Sequence, residues 1–473
     1  MSDVMMTLAQ AAQALASKTS SGEIGISGVS TDTRTLRSGD LFIALQGPNF
    51  DAHTMLAKAR EKGAVAAVVS RSVDDELPQL LVNDTREALG KLASFWRAQF
   101  KGCLVAITGS NGKTTVKEML ASILSCKGEV LATAGNFNND IGMPLTLLRL
   151  RPNQHQFAVI EMGANHSGEI AYLSKLAKPD VAIVNNAAAA HLAGFGSIEE
   201  VAQAKGEIWQ GLGRSGIAVI NADDAFADYW NGLVTDHKVI HFGAEADVAL
   251  KSAKGAGVAQ GKFSNQFTLA TPKGDVDINL QLAGHHNIFN AMAATAVAIA
   301  AGADLGEVKE GLSRMRPVKG RLHSRISAWG QLLIDDSYNA NPQSVGAAIE
   351  VLAQVQGERI LVLGDMAELG EEAAHLHYQA GALAEKQGID RLYATGSLSR
   401  EAVNGFGDGG EWFETQEELI KTLANYLAEG SDAVTVLVKG SRSAAMERVI
   451  EALVDGFGGA DIPRPMAAIG MEG

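Results

Sequence analysis

Cysteine is nearly absent from this chain, with only Cys103 and Cys126 present. Neither stands in a metal-ligand spacing, and two thiols cannot frame a disulfide-stapled fold. A reducing compartment, the cytoplasm, is the expectation. Long apolar runs are also missing. The most apolar stretch, residues 291–301, is Ala-rich and too short to span a bilayer. The N-terminal MSDVMMTLAQAAQALA carries Asp3 and no basic residue ahead of its apolar part. It reads as the first amphipathic helix of a domain and not as an export signal. Stable membrane association is therefore not expected. Excess positive charge is lacking too: the formal net charge is −14. That argues against a general affinity for nucleic acid or acidic membranes. Anionic substrates would have to be held by local sites and metal ions. No repeat of fixed period and no low-complexity tract is found.

What is present suits a multidomain α/β protein. The 473 residues suffice for two to four domains. Strands are expected at 41–45 and 64–69, with a helix at 53–62 between them and a connecting helix at 83–100. A second unit begins with the apolar run at Cys103 and continues with strands at 157–160, 181–185, 217–221 and 238–242. Helical patterns lie between most of these strands, which implies a parallel sheet covered on both faces. Residues 246–282 alternate polar and apolar and read as short antiparallel strands. An Ala-rich helix follows at 286–301, with Gly302 as its stop. The basic segment Arg316-Pro317-Val318-Lys319-Gly320 reads as a linker. Beyond it, strands at 332–335, 360–363, 391–394 and 435–438 make a second, smaller doubly wound sheet. The domain reading is 1–83, 84–316 and 317–473.

The most informative segment is Ile107-Thr108-Gly109-Ser110-Asn111-Gly112-Lys113-Thr114-Thr115. It joins an apolar strand to a helical pattern. Glycines let backbone N–H groups face an anion, and a helix N-terminus adds partial positive charge. In such a phosphate cradle Lys113 reaches the β- and γ-phosphates and the Thr114 hydroxyl holds Mg²⁺. The first glycine of the general pattern would fall at Ile107, so this loop is shorter than most. A plain glycine turn is the competing reading.

Other polar clusters sit at strand ends, where α/β proteins place ligands. Glu161 is either a solvated carboxylate or an Mg²⁺ ligand. His191, in an Ala-rich run, is either a satisfied core histidine or a ligand. Lys205 lies on an amphipathic helix, and by itself reads as a solvated lysine. Asn287 and Asn290 open the helix after Gly284-His285-His286, as caps or as partners of a purine edge. Arg321 follows the linker and could swing into the nucleotide site. Asp335-Asp336-Ser337-Tyr338-Asn339-Ala340-Asn341-Pro342 is a dense polar run at a strand end. Lys439-Gly440-Ser441-Arg442 precedes the last helix and offers another anion cradle.

The strings TGSNGKTT, EMGAN, NNAAAAHL, QAKGEI, GHHNIFNAMAA, KGRL, DDSYNANP and KGSR occur in this order. They resemble the motif set of the Mur ligase family, over nearly the whole chain, and the shortened cradle is the family's own form. DDSYNANP and GDMAELG (364–370) are similar to the branch that adds D-alanyl-D-alanine to UDP-N-acetylmuramoyl-tripeptide. The resemblance implies an ATP- and Mg²⁺-dependent amide ligase of three domains: a small α/β UDP-sugar domain, a central P-loop domain and a Rossmann-like acceptor domain. It implies that Lys113, His191, Lys205 and Arg321 are catalytic. Thr114, Glu161, His191 and Lys205 would serve two Mg²⁺ ions, Lys205 as a carbamate. Asn287 and Asn290 would touch adenine, and Arg321 and Asp336 the phosphate and ribose. Ser30, Asp32, Arg34, Asn49, Asp51 and His53 resemble uridine-nucleotide-binding elements, although Ala52 stands where glycine is common. Asn138 and Asn139 would face the UDP-sugar peptide. Asn339, Lys439, Ser441 and Arg442 would line the acceptor side. A monomer is expected. The competing readings are a sister ligase, adding diaminopimelate or lysine or extending folate, and a P-loop switch that forms no amide.

Overall fold

The computed structural model describes residues 4–19, 21–188, 195–259, 262–430 and 433–456. Three sheet-based α/β units follow one another along the chain. The first holds four parallel strands in the order Gly28–Ser30, Asp40–Ile43, Ala66–Val69, Gln79–Leu81. The helix expected at 53–62 divides here into a 3-10 turn, Ala52–Met55, and an α-helix, Leu56–Glu61. The connecting helix runs Thr85–Arg97, where the Asp84 carboxylate accepts from the N–H groups of Arg86 and Glu87. That N-cap satisfies two of the four donors a helix start leaves open.

The central sheet has six parallel strands in the order Val130–Ala132, Phe157–Glu161, Cys103–Thr108, Val181–Val184, Ile217–Asn221, Lys238–Phe242. Its four inner strands are buried on both faces, as their near-continuous Val, Ile and Ala content requires, while the edges Val130–Ala132 and Lys238–Phe242 are partly exposed. The strand that feeds the glycine loop lies inside the sheet, and successive strands depart to opposite sides of it. That is a topological switch point, where the strand ends leave a crevice. The helix Lys113–Ser125 follows the loop and buries Val116, Met119, Leu120, Ile123 and Leu124, a one-face spacing. It packs against His285–Ala300 and Leu305–Arg314. At Gly311 a Cβ would come within 2.3 Å of Ile123 Cα, so only glycine allows this approach. The alternating segment forms a three-stranded antiparallel sheet.

The third sheet also has six strands, so it is not smaller than the central one in strand number. The sequence pattern missed two edges, His323–Ile326 and Gly410–Phe413. Both are short and only partly buried, so their apolar signal is weak. Leu332–Asp336 lies beside Val434–Lys439, which brings the ends of these distant segments together.

Candidate nucleotide and substrate site

The glycine loop, the ends of the central strands and the third unit enclose a cavity of about 1620 Å³. Pockets for a single small molecule run about 300–1,000 Å³, so this one has room for more than one substrate. Gly112, at φ +78°, is the N-cap of the helix that Lys113 begins. A Cβ there would lie 2.3 Å from Asn290 Oδ1 and 2.6 Å from Asn185 Nδ2. Backbone conformation and crowding together require glycine. The first N–H groups of that helix have no intrahelical acceptor, and Gly112, Lys113 and Thr115 line the cavity.

Two neighbouring strand-end residues clamp the loop. Asn186 Oδ1 accepts from the Asn111 N–H at 2.8 Å, and Asn185 Nδ2 donates to the Asn111 carbonyl at 2.9 Å. The Ser110 hydroxyl bridges Ala188, and Thr108 Oγ1 donates to the Met162 carbonyl. Gly109 follows at φ +150°. Lys113 Nζ folds back onto the Gly109 and Ser110 carbonyls at 2.6 and 3.3 Å. Burial and the nearby Arg321 guanidinium hold its ammonium pKa below the usual lysine range, while Glu161 opposes them. Thr115 is buried in the first helical turn.

Thr114 Oγ1 donates to Glu161 Oε2 at 2.9 Å, Asn138 Nδ2 donates to Glu161 Oε1 at 2.9 Å, and Arg321 Nη2 donates to Thr114 Oγ1 at 3.1 Å. Glu161 is only 3% exposed. Behind it, Thr133 Oγ1 accepts from the Glu161 N–H, and the buried Lys117 Nζ donates to the Thr133 carbonyl. Sequence reading missed this backing because Lys117 looks like an ordinary helix lysine. Asn139, also at the cavity, caps the turn into Gly142–Leu147.

His191 lies outside the described residues. Lys205 is not the solvated lysine its helix pattern suggests: it is 2% exposed, with Nζ 5.3 Å from the Phe195 ring centroid. Burial first, then Lys113, lowers its pKa to about 7. Asn287 and Asn290 are buried and bonded to each other, Nδ2 of Asn290 donating to Oδ1 of Asn287. His286, which sequence reading passed over, lines the cavity; burial pushes its pKa down to about 4.

In the third unit the two adjacent carboxylates divide their roles, as opposite faces of a strand require. Asp335 is fully buried and accepts from the Gly320 N–H and the Ser337 hydroxyl. Asp336 faces the cavity and pairs with Lys439 Nζ at 2.5 Å. Lys439 also donates to the Asn339 carbonyl. Arg321 stacks over the Tyr338 ring at 4.4 Å. Ser441 is buried, and Arg442, paired with Glu447, is mostly exposed. A 3-10 turn, Arg442–Ala444, separates this cradle from the last described helix.

The first-unit residues lie apart from this cavity. His53 is 1% exposed and both ring nitrogens are engaged, Nδ1 by Asp51 at 2.7 Å and Nε2 by the Ser70 N–H at 2.9 Å. Arg71 also pairs with Asp51 and, as the larger influence, holds its carboxyl down to about 2. Ser30 is buried and bonded to the Asp32 backbone, while Asp32 pairs with an exposed Arg34. Asn49 is exposed.

Fold and site together define a three-unit α/β protein with a phosphate-binding P-loop at a switch point, roofed by its last unit. Comparisons with known proteins agree. Residues 25–97 match the Mur ligase family catalytic domain, 107–298 the Mur ligase middle domain and 320–442 the Mur ligase glutamate ligase domain. The chain is 48% identical over 450 residues to the UDP-N-acetylmuramoyl-tripeptide–D-alanyl-D-alanine ligase of Escherichia coli, covering 95% of this chain and 98% of that one. It is 44% identical to the Haemophilus influenzae enzyme of the same name, over 96% and 99% of the two chains. A crystal structure of MurF from Acinetobacter baumannii superposes with a TM-score of 0.89 at 38% identity, covering 95% of this chain and 99% of that one. The Thermotoga maritima MurF ligase in complex with ADP gives 0.78 at 29% identity, over 91% and 97%. The chain belongs to the Mur ligase family and is an ATP-dependent ligase.

Proposed function

We propose that this enzyme joins D-alanyl-D-alanine to the terminal carboxylate of UDP-N-acetylmuramoyl-tripeptide, the last cytoplasmic step in making the peptidoglycan precursor. The observation that carries the reading is the juxtaposition of the P-loop with Glu161, Arg321 and the Asp336–Lys439 pair around one cavity. A phosphate donor, an activated acid and an amine must all meet in one place, and this cavity admits all three.

A carboxylate resists attack by amines because its oxide is a poor leaving group. The γ-phosphoryl group of ATP is transferred to the tripeptide carboxylate, giving an acyl phosphate and ADP. The dipeptide amine attacks the acyl carbon, the C–N bond forms, and phosphate leaves from the tetrahedral intermediate as the amine loses its proton. Lys113 and Arg321 offset charge on the transferring group. The third unit's cover over the loop keeps water from the acyl phosphate.

The residues present fit Mg²⁺. Thr114 and Glu161 are hard oxygen donors at the loop, and Mg²⁺ takes few protein ligands, leaving room for phosphate oxygens and water. Thr114 and Glu161 would hold it, with a carbamylated Lys205 supplying further oxygens. When bound, the ion supplies charge neutralisation on the phosphates. The low pKa of Lys205 supports the carbamate, since carbon dioxide adds to a neutral amine. The first unit, with Asp32 and Arg34, is assigned to the UDP moiety, and domain limits of 1–83, 84–316 and 317–473 fit this division of labour. The protein acts as a monomer in the cytoplasm.

The test is product analysis. Protein, ATP, Mg²⁺, UDP-N-acetylmuramoyl-tripeptide and D-alanyl-D-alanine should yield the UDP-pentapeptide by mass. Product with a single amino acid in place of the dipeptide would instead indicate a sister ligase.

A further inference from the structure

Asn111 sits in the P-loop, where phosphate is held by backbone groups and the side chain is free to do something else. Its amide is spent on the third unit. Nδ2 donates to Gln343 Oε1 at 2.6 Å, and Oδ1 accepts from Asn341 Nδ2 at 2.7 Å. Asn341 is the N-cap of the helix Pro342–Ala353, its Oδ1 accepting from the Ser344 N–H at 2.9 Å. The loop side chain is thus tied to the first turn of a helix more than two hundred residues away in sequence. The Asn111 backbone is meanwhile clamped by Asn185 and Asn186. Asn111 is thus bonded to the central sheet through its backbone and to the third unit through its side chain.

We propose that Asn111 and Gln343 are positioning residues that register the third unit on the P-loop. Their paired amides hold the roof in place over the reacting groups, so that displacement of either the loop or the helix is felt by the other. The inference rests on the ligase reading for its kinetic test but not for its structural one. Gln343 is exposed and Asn111 only partly buried, so Asn111→Ala and Gln343→Ala should fold.

Two measurements test it. In steady-state kinetics each variant should lose kcat about fivefold per hydrogen bond removed, with KM for ATP within about twofold of the parent. The double variant should be no slower than the worse single one, the mark of one shared interaction. Additive losses, or a raised KM for ATP with kcat unchanged, would overturn the proposal. Small-angle scattering with a non-hydrolysable ATP analogue needs no turnover. Both variants should show a larger radius of gyration than the parent, and equal radii would count against the registration. A parent that scatters as compact but forms no amide would refute the ligase reading alone.

Discussion

Thr114 Oγ1 and Glu161 Oε2 lie 2.9 Å apart in a buried hydrogen bond that joins the first turn of the P-loop helix to the end of the adjacent strand. Parallel pairing sets this geometry, because Glu161 is in register with Ile107, two residues before the first loop glycine. A hydroxyl and a carboxylate so placed are the oxygen donors proposed above for Mg²⁺.

Glu161→Ala should therefore raise the Mg²⁺ concentration needed for half-maximal activity, with a smaller effect in Thr114→Ala. Activity is measured against Mg²⁺ at saturating ATP. An unchanged curve in both variants would show that the ion is held elsewhere.

Lys113→Ala should lower kcat by about a hundredfold or more, the usual cost of one charge-stabilising donor, and leave the unfolding temperature within a few degrees. Near-normal phosphate release by this variant would remove the P-loop from the chemistry.

Lys205→Ala should lose most activity, and short carboxylic acids should restore part of it by supplying the missing oxygen ligand. Rescue by small amines instead would mean that the lysine acts as a cation. With a pKa near 7, the neutral amine rises from about a tenth to about nine-tenths between pH 6 and 8, so activity dependent on added bicarbonate should rise over that range. The same shift has a stability sign. The unfolded chain holds this proton more tightly, so burial costs most below pH 7 and the cost fades as pH rises toward the ordinary lysine value.

His53 and Arg34 should separate structure from binding in the first unit. His53→Ala strands the Ser70 N–H and breaks the link to Asp51, and should cost about 1–3 kcal/mol of stability. Arg34, whose side chain is 86% exposed, should leave stability unchanged when made Ala and raise KM for the UDP-sugar substrate. Thermal unfolding and KM measured on both variants decide this, and an unstable Arg34→Ala would contradict the assignment.

Much of this architecture was legible in the sequence because it rests on local signals. The apolar run from Cys103, the glycine loop and the alternation of strands and helices each declare themselves within a few residues. The antiparallel segment after Ala246 declared itself through its period of two. What stayed hidden depends on contacts between distant segments. The burial of Lys205 depends on Phe195 and on the packing around its helix, and an amphipathic pattern points the other way. Lys117 looks solvated until Thr133 and Glu161 are placed behind it. The Asn111–Gln343 contact spans units and has no local signature at all. His53 sat in a motif that suggested ligand contact, yet its ring is committed to Asp51 and Ser70.

In the proposed reaction the P-loop delivers the γ-phosphoryl group of ATP to the substrate carboxylate. Tripeptide labelled with ¹⁸O in both terminal carboxylate oxygens tests it directly, with the released phosphate analysed by mass. One labelled oxygen per phosphate, and one phosphate per amide formed only when both the UDP-tripeptide and D-alanyl-D-alanine are present, is the predicted result. Unlabelled phosphate, or release that ignores the dipeptide, would contradict it.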